Sequence, residues 1–157
     1  MKKTKTWDDN LNDVVRDVFF VDADLLDAMM IPEDKRNNIV DFVGNRFIRD
    51  PAPDEILTTE DVRVCYYRSQ GRSLGYHVNK RLIWLDVYVK TDHLHDYDND
   101  LLKYRTDVIC QRIKELLLDK KYVCNLQFEY EDGPYELYTK LVGYRRARIV
   151  FSYKTTY

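Results

Sequence analysis

Hydrophobic and polar residues in the first third of the chain follow the spacing of a helix. Apolar residues recur every three or four positions between Leu11 and Val18, after a run of Asp and Asn residues that are typical helix caps. Residues 25–30 either continue this helix or begin a short second one, and a further apolar stripe covers residues 39–48. The pattern predicts an N-terminal helical segment over residues 1–60.

After this segment the pattern changes to that of strands. Residues 62–67 are rich in β-branched and aromatic side chains, and residues 82–89 are apolar on both faces, as in a strand buried inside a sheet. The last third predicts a half-exposed strand, a turn and a long closing strand over residues 125–130, 131–134 and 141–153. Gly143 predicts a bulge in that closing strand.

The clearest helix is predicted over residues 100–119, where leucines and isoleucines share one face. The predicted order is therefore helices, strand, strand, helix, strand, strand, which is typical of the α+β class. We expect a mostly antiparallel sheet of about four strands packed on one long amphipathic helix. Residues 61–157 form this α+β core domain, and we expect it to make one compact unit with residues 1–60.

Length and composition narrow the class of protein. The chain has 157 residues, of which 45% are hydrophobic, and its 25 basic and 27 acidic residues give a net charge of −2. No apolar run is long enough for a membrane span, and the N-terminus lacks the apolar region of a signal peptide, which predicts a protein made in the cytosol. Because the charge is balanced, a global basic field for nonspecific nucleic-acid binding is absent.

Cysteine and histidine spacing gives no sign of a metal centre. The three cysteines, Cys65, Cys110 and Cys124, are far apart and lie in apolar contexts, so we expect buried, reduced thiols rather than a zinc site. The acidic segment 92–100 resembles a calcium loop in its Asp spacing, but Leu101 replaces the glycine that such a loop requires. We interpret it as a solvated loop that caps the following helix, and predict neither a metal nor a cofactor.

The sequence signals for a catalytic site are as weak as those for a metal centre. His77 lies in a polar loop without the context of a nucleophile–base pair, and no phosphate-binding glycine motif is present. A metal-dependent nuclease would have to use Asp86 and Lys90 on the apolar strand, with Asp61 or Glu60 upstream. We instead expect Asp86 to face a cationic partner or a subunit seam, and we predict that the protein is not an enzyme.

Two basic clusters are interleaved with some of the 13 tyrosines of the chain. Tyrosine and arginine are enriched in protein interfaces, and the same mixture can bind single-stranded nucleic acid. The balanced charge favours the protein interface. The candidate interface residues are Arg68, Arg72, Tyr76, Arg81, Trp84, Asp86, Tyr88, Tyr144, Arg145, Arg146 and Arg148.

Residues 80–157 resemble the neck proteins of tailed bacteriophages, which are the head–tail connector, head-closure, tail-terminator and tail-completion subunits. The resemblance rests on the strand Arg81–Val89, a polar loop, an amphipathic helix with Ile113–Leu117 late in it, a strand and turn, and a final strand from Gly143 to Tyr153. Similar proteins are small, α+β and non-enzymatic, and they assemble as rings around the DNA channel between portal and tail tube. The first 60 residues match none of these families.

The resemblance implies a virion protein of the neck, assembled in the host cytoplasm. Its partners would be copies of itself in a six- or twelve-fold ring, the portal or connector and tail-tube proteins, and DNA passing through the lumen, with no membrane. Two other functions stay open: an intracellular module that binds protein or nucleic acid, and the metal-dependent nuclease.

Overall fold

The computed structural model describes residues 7–37, 44–49, 60–68, 80–96 and 103–155. Its helices are α1 (Trp7–Val14), which continues as a π-helix over Val15–Phe19, then α2 (Ala23–Ala28) and α3 (Arg105–Leu118). Its strands are β1 (Phe47–Arg49), β2 (Val62–Arg68), β3 (Arg81–Lys90), β4 (His95–Asp96), β5 (Lys103–Tyr104), β6 (Leu126–Leu137) and β7 (Tyr144–Thr155). Short 3-10 turns cover Glu33–Lys35, Gly44–Arg46 and Thr91–His93.

Five strands form the main sheet in the order β1-β2-β3-β7-β6, while β4 and β5 form a separate pair. All neighbours in the main sheet are antiparallel except β1 and β2, which are parallel. The predicted α+β class is confirmed, with five strands where about four were expected. The additional strand is β1, which lies in the segment predicted to be helical, and its three residues are too few to show a strand period.

One face of the sheet is covered by the helices. Residues at alternate positions of β3, from Ile83 to Val89, point to this face because side chains alternate across a strand. They share one core with Val14 of α1, Leu25 of α2 and Ile113 of α3. The predicted packing of one long helix on the sheet is therefore confirmed, and this core includes side chains from both predicted segments.

The helical boundaries differ from those predicted. Residues 25–28 belong to a separate short helix, α2, which ends before the turn at Met29 and Met30. Its first turn is capped by the carboxylate of Asp22, which accepts from the Leu25 backbone N–H at 2.8 Å. The long helix begins at Arg105 rather than at residue 100, because Lys103 and Tyr104 form strand β5 instead. Residues 97–100 of the acidic segment, which was predicted to be a solvated loop, lie outside the described residues.

The turn predicted at 131–134 is wrong, because β6 continues through it. The pairing of β6 with β7 shifts register between Tyr130 and Asp132 and again between Asp132 and Tyr135, so these residues form an irregular bulge in one long strand. Gly133 has φ +90°, and a Cβ there would lie 2.4 Å from the Arg148 carbonyl oxygen. Gly143, predicted at a bulge, lies in the turn before β7 with φ +81°.

The structure bears on two expectations from the sequence, one about membrane spans and one about the burial of the three cysteines. Within the described residues, no helix combines the length and the apolar character needed to cross a bilayer. Cys65 and Cys110 are buried as predicted, whereas Cys124 is only partly buried. Burial, and after it the nearby carboxylates of Asp107 and Asp86, raises the pKa of Cys110 to about 12.

Candidate functional site

The sheet face opposite the helices carries a cluster of polar and aromatic side chains around Asp86. Asp86 of β3 is paired with Cys65 of β2 on one side and with Arg148 of β7 on the other. Residues directly opposite each other in an antiparallel pair point to the same face, and positions two apart do so as well. The register therefore places these side chains on this face: Tyr67, Trp84, Asp86, Tyr88, Arg146 and Arg148.

Asp86 is the centre of this cluster, with 1% of its surface exposed. Its Oδ1 accepts from Nε of Arg148 at 2.7 Å, and its Oδ2 accepts from Nη2 of Arg146 at 2.5 Å. The hydroxyl of Tyr67 donates to Oδ2 at 2.6 Å and accepts from Nη2 of Arg148 at 2.7 Å. Both carboxylate oxygens are thus engaged by charged or polar donors of the same chain.

Aromatic rings flank the two guanidinium groups. The guanidinium of Arg148 lies 3.9 Å from the ring centroid of Trp84, and that of Arg146 lies 5.6 Å from the ring of Tyr88. In such contacts the negative face of the aromatic ring attracts the cation, and the planar guanidinium group is held against the ring. The side chains of Arg146 and Arg148 remain 20% and 12% exposed. One fully buried carboxylate therefore holds two largely buried cations.

The electrostatics of the cluster favour the ionised forms. Burial raises the pKa of Asp86, but hydrogen bonds from Arg148, Tyr67 and Arg146 outweigh burial, so that this pKa lies below its usual range. Burial, followed by the hydrogen bond to Asp86, raises the pKa of Tyr67 to about 12. At neutral pH the cluster consists of one carboxylate, two guanidinium groups and a neutral phenol.

Among the residues considered for a nuclease, Lys90 and Asp61 pair with each other, whereas Glu60 and Asp86 are each held by arginines. Nη2 of Arg46 lies 3.1 Å from Glu60, and Nζ of Lys90 lies 3.9 Å from Asp61, which His93 also approaches at 3.2 Å. Over the described ranges, no three His, Cys, Asp or Glu side chains converge in a way that would hold a metal ion.

The structure brings together five of the candidate interface residues, namely Trp84, Asp86, Tyr88, Arg146 and Arg148. Tyr144 lies further along the same face and donates its hydroxyl to the Glu60 carbonyl at 3.0 Å. The others described are dispersed: Arg68 is exposed at the end of β2, Arg81 begins β3, and Arg145 pairs with Glu136 at 2.7 Å. Arg72 and Tyr76 lie outside the described residues. Their shared role in an interface stays a prediction.

A second surface was missed by the sequence analysis. Strand β6 is at one edge of the sheet, and it and the turn that follows it expose four large apolar or aromatic side chains: Tyr130, Tyr135, Tyr138 and Val142. Tyr138 is 83% exposed and Val142 95%. The tyrosines repeat along the sequence, but interpreting 131–134 as a turn concealed the fact that they follow one edge strand.

Comparison with known proteins gives a match to a family model. The model of the YomW family matches residues 16–153, which is most of the chain and includes four strands of the main sheet in full and β7 as far as Tyr153. No curated protein and no solved structure matches the chain. The chain belongs to the YomW family, whose name comes from a phage-derived gene, and it is therefore a phage-related protein.

Proposed function

We propose that this chain is a structural subunit of a tailed-phage particle. Copies of it form a ring in the neck that joins the head to the tail and leaves a channel open for DNA. Membership of a phage-related family and the resemblance of residues 80–157 to neck proteins both support this proposal. In this role the protein needs neither catalysis nor a cofactor, and it is located in the virion.

The observation that carries the proposal is the group of exposed aromatic and apolar side chains on strand β6, at the edge of the sheet, and in the turn after it. Of the eight large hydrophobic side chains that are exposed among the described residues, four lie on β6 or in the turn after it. Apolar side chains concentrated at one place on a surface mark a site of contact with another macromolecule. Burying a valine such as Val142 would contribute about 1.5–3 kcal/mol to such a contact.

The cluster around Asp86 supports a structural role for the sheet face that lies opposite the helices. Its carboxylate, guanidinium and phenol groups bond to one another rather than being aimed into an open cleft. A rigid polar face of this kind suits a subunit that must keep its shape while neighbours dock on it. The neighbours in the proposed assembly are copies of itself, the portal or connector, and the tail tube.

The proposal is tested by the mass and shape of the purified full-length chain. Sedimentation velocity over a wide concentration range, with negative-stain imaging of the same samples, is expected to show closed rings of six or twelve copies. The double variant Tyr138→Ser, Val142→Ser is expected to assemble only at higher concentration than the wild type. The control is Val21→Ser, which removes an exposed valine from the turn before α2 and should assemble normally.

A chain that stays monomeric at every concentration, both alone and with portal or tail-tube proteins, would overturn the proposal. That result would favour the alternative of an intracellular binding module that uses the same edge for a different partner. Cleavage of DNA with magnesium, lost in Asp86→Ala, would instead support the nuclease.

A further inference from the structure

The cluster around Asp86 holds more positive charge than negative charge. Arg146 and Arg148 each bring one positive charge, and both pair with the single carboxylate of Asp86. The remaining polar member is the phenol of Tyr67, whose pKa of about 12 keeps it neutral at physiological pH. Two positive charges against one negative charge leave the cluster with a net charge of +1.

Acidic side chains beside the cluster already have cations of their own. The ion pairs on and next to the flanking strands are Arg46–Glu60, Lys90–Asp61, Arg145–Glu136 and Lys80–Glu129. On the face of the cluster itself, Arg63 lies opposite Tyr88 and close to Glu60, so it brings a further cation rather than an acid. None of these groups supplies the missing negative charge.

The remaining acidic residues of β6 do not balance the arginines either. The carboxylate of Glu131 accepts from the hydroxyl of Ser152 at 2.5 Å, and that of Asp132 accepts from the backbone N–H of Gly133 at 2.8 Å. Within the part of the chain that the structure describes, Asp86 is the one carboxylate at ion-pair distance from Arg146 and Arg148. The excess positive charge is therefore not compensated inside the described chain.

One NH2 group of each arginine presents this excess charge at the surface. Asp86 and Tyr67 accept from the Nε and Nη2 atoms of the two arginines. Nη1 of each donates to no described residue, and neither Nη1 is among the polar atoms that are buried without a partner. Because Oδ2 of Asp86 accepts from Nη2 of both arginines, at 2.5 and 3.0 Å, the two guanidinium groups lie side by side.

The two guanidinium groups are held in place before any partner arrives. Asp86 fixes one side of each, and the rings of Trp84 and Tyr88 lie against them. A group that is already ordered loses little conformational entropy when it binds. Arginine, tryptophan and tyrosine are also the residues that contribute most of the binding energy in protein interfaces. The cluster is therefore well suited to anchor an anionic group.

One excess charge suits a single carboxylate better than a polyanion. Proteins that bind nucleic acid neutralise several phosphates at once, whereas this cluster offers one charge on a chain whose net charge is −2. Another copy of the chain can supply the carboxylate. Four aspartates are exposed and form no ion pair among the described residues, namely Asp34, Asp92, Asp119 and Asp132.

We propose that Arg146 and Arg148 together bind one side-chain carboxylate of the neighbouring copy, which becomes the second acid of the cluster. This inference rests on the proposed self-assembly and adds a specific anchor to it. The incoming carboxylate accepts from the two Nη1 groups, so the bonds to Asp86 stay as they are. Hydrogen bonds between ionised groups are the strong ones, and they fix the orientation in which two copies meet.

The test uses two variants that change the charge of the cluster in opposite directions. Arg146→Gln removes the excess charge, so it should need at least about ten times more protein than the wild type to reach half assembly. Asp86→Asn increases the excess charge, so it should assemble at the wild-type concentration or below it. Stability alone predicts the reverse order, because losing the acid that two arginines share is more damaging than losing one arginine.

The control is Arg145→Gln, which removes the same charge from the neighbouring residue. Alternation along β7 places Arg145 on the other face of the strand, where it pairs with Glu136. This variant should assemble like the wild type. Circular dichroism first shows that each variant is folded at the temperature of the assembly measurement.

A second measurement uses the wild type and does not depend on any variant folding. Phenylglyoxal modifies accessible guanidinium groups, and mass spectrometry of the peptides shows which arginines have reacted. Arg146 and Arg148 should react in dilute, unassembled protein and become protected once the rings form. Arg16, which is 60% exposed on the first helical segment, serves as the internal reference and should react equally in both samples.

The possible results separate this inference from the proposed function. If rings form but Asp86→Asn assembles less well than Arg146→Gln, or if the two arginines stay equally reactive in the ring, the anchor is overturned while the ring survives. Binding of single-stranded DNA that Arg146→Gln abolishes, with assembly unchanged, would also overturn it and would assign the site to phosphate. A wild type that never assembles overturns the proposed function, and the anchor with it.

Discussion

Replacing Asp86 by Asn tests whether the buried carboxylate holds the two arginines in place. The substitution keeps the size of the side chain and removes its charge, which leaves the guanidinium groups of Arg146 and Arg148 without a counter-ion. Removing one partner of a buried ion pair destabilises a protein by about 3–5 kcal/mol. Because the arginine side chains are still 20% and 12% exposed, water can solvate them in part, and we expect a loss near 3 kcal/mol.

The arginines should be less sensitive than the carboxylate they share. In Arg146→Met, Asp86 keeps its bonds to Arg148 and Tyr67, so only the bonds from one charged donor are lost. Such bonds contribute about 1.5–3 kcal/mol. We therefore expect Asp86→Asn to lower the free energy of unfolding more than Arg146→Met does.

Urea unfolding followed by circular dichroism measures both losses. In thermal unfolding, a loss of about 3 kcal/mol would lower the melting temperature of a chain of this size by about 6–12 °C. The measurement is repeated at several protein concentrations, since assembly would itself raise the apparent stability. The control is Asp17→Asn, which removes the carboxylate of an exposed pair with Arg16 and should change stability by less than about 1 kcal/mol.

The dependence on pH supplies a second readout. The pKa of Asp86 is lower in the folded chain than in the unfolded chain, so the unfolded chain binds more protons between these two values. The stabilisation is complete above the ordinary pKa of about 4 and disappears as the pH falls through the folded value. The stability difference between wild type and Asp86→Asn should therefore shrink on acidification. If Asp86→Asn is no less stable than Asp17→Asn at pH 7, or if the difference does not change with pH, the structural role assigned to this carboxylate is wrong.

Three further outcomes are expected from other parts of the fold. Asp22→Ala removes both the cap of α2 and the ion pair with Arg112 on α3, and should destabilise by about 1–2 kcal/mol in urea unfolding, whereas Asp22→Ser should restore the part due to the cap. Gly133→Ala should be far more destabilising in thermal melts than Gly143→Ala, because both have positive φ but only the first new Cβ meets backbone atoms within 4 Å; equal losses would contradict this account. Cys110 should resist iodoacetamide at pH 8 in the folded chain and react on unfolding, as mass spectrometry of the labelled peptide can show.

Strongly periodic elements could be predicted from the sequence, and short or irregular ones could not. β3 and α3 each bury one face over many residues, so their patterns are long enough to identify them. β1 has three residues and is a strand only because β2 offers it an edge. Gly and Pro occur both in turns and at bulges, and only the pairing with β7 shows that Gly133 and Pro134 lie in a bulge.

The same distinction applies to the candidate site. The alternation of residues 82–89 predicts that Trp84, Asp86 and Tyr88 share one face of their strand, whereas Arg145, Arg146 and Arg148 were predicted only as a basic cluster. That the two sets meet depends on the register of β3 with β7, which pairs Asp86 with Arg148. The exposed edge of β6 depends on the strand order of the sheet, which a single sequence does not contain.

The position of β7 has a consequence for how the protein is made. This strand follows both β3 and β6 along the chain, yet it lies between them in the sheet. While a ribosome is still synthesising residues 144–155, the apolar β3 has an open side onto which a foreign strand can add. Prematurely terminated chains would keep that open side permanently, so we expect them to aggregate or to depend on chaperones rather than accumulate as soluble fragments.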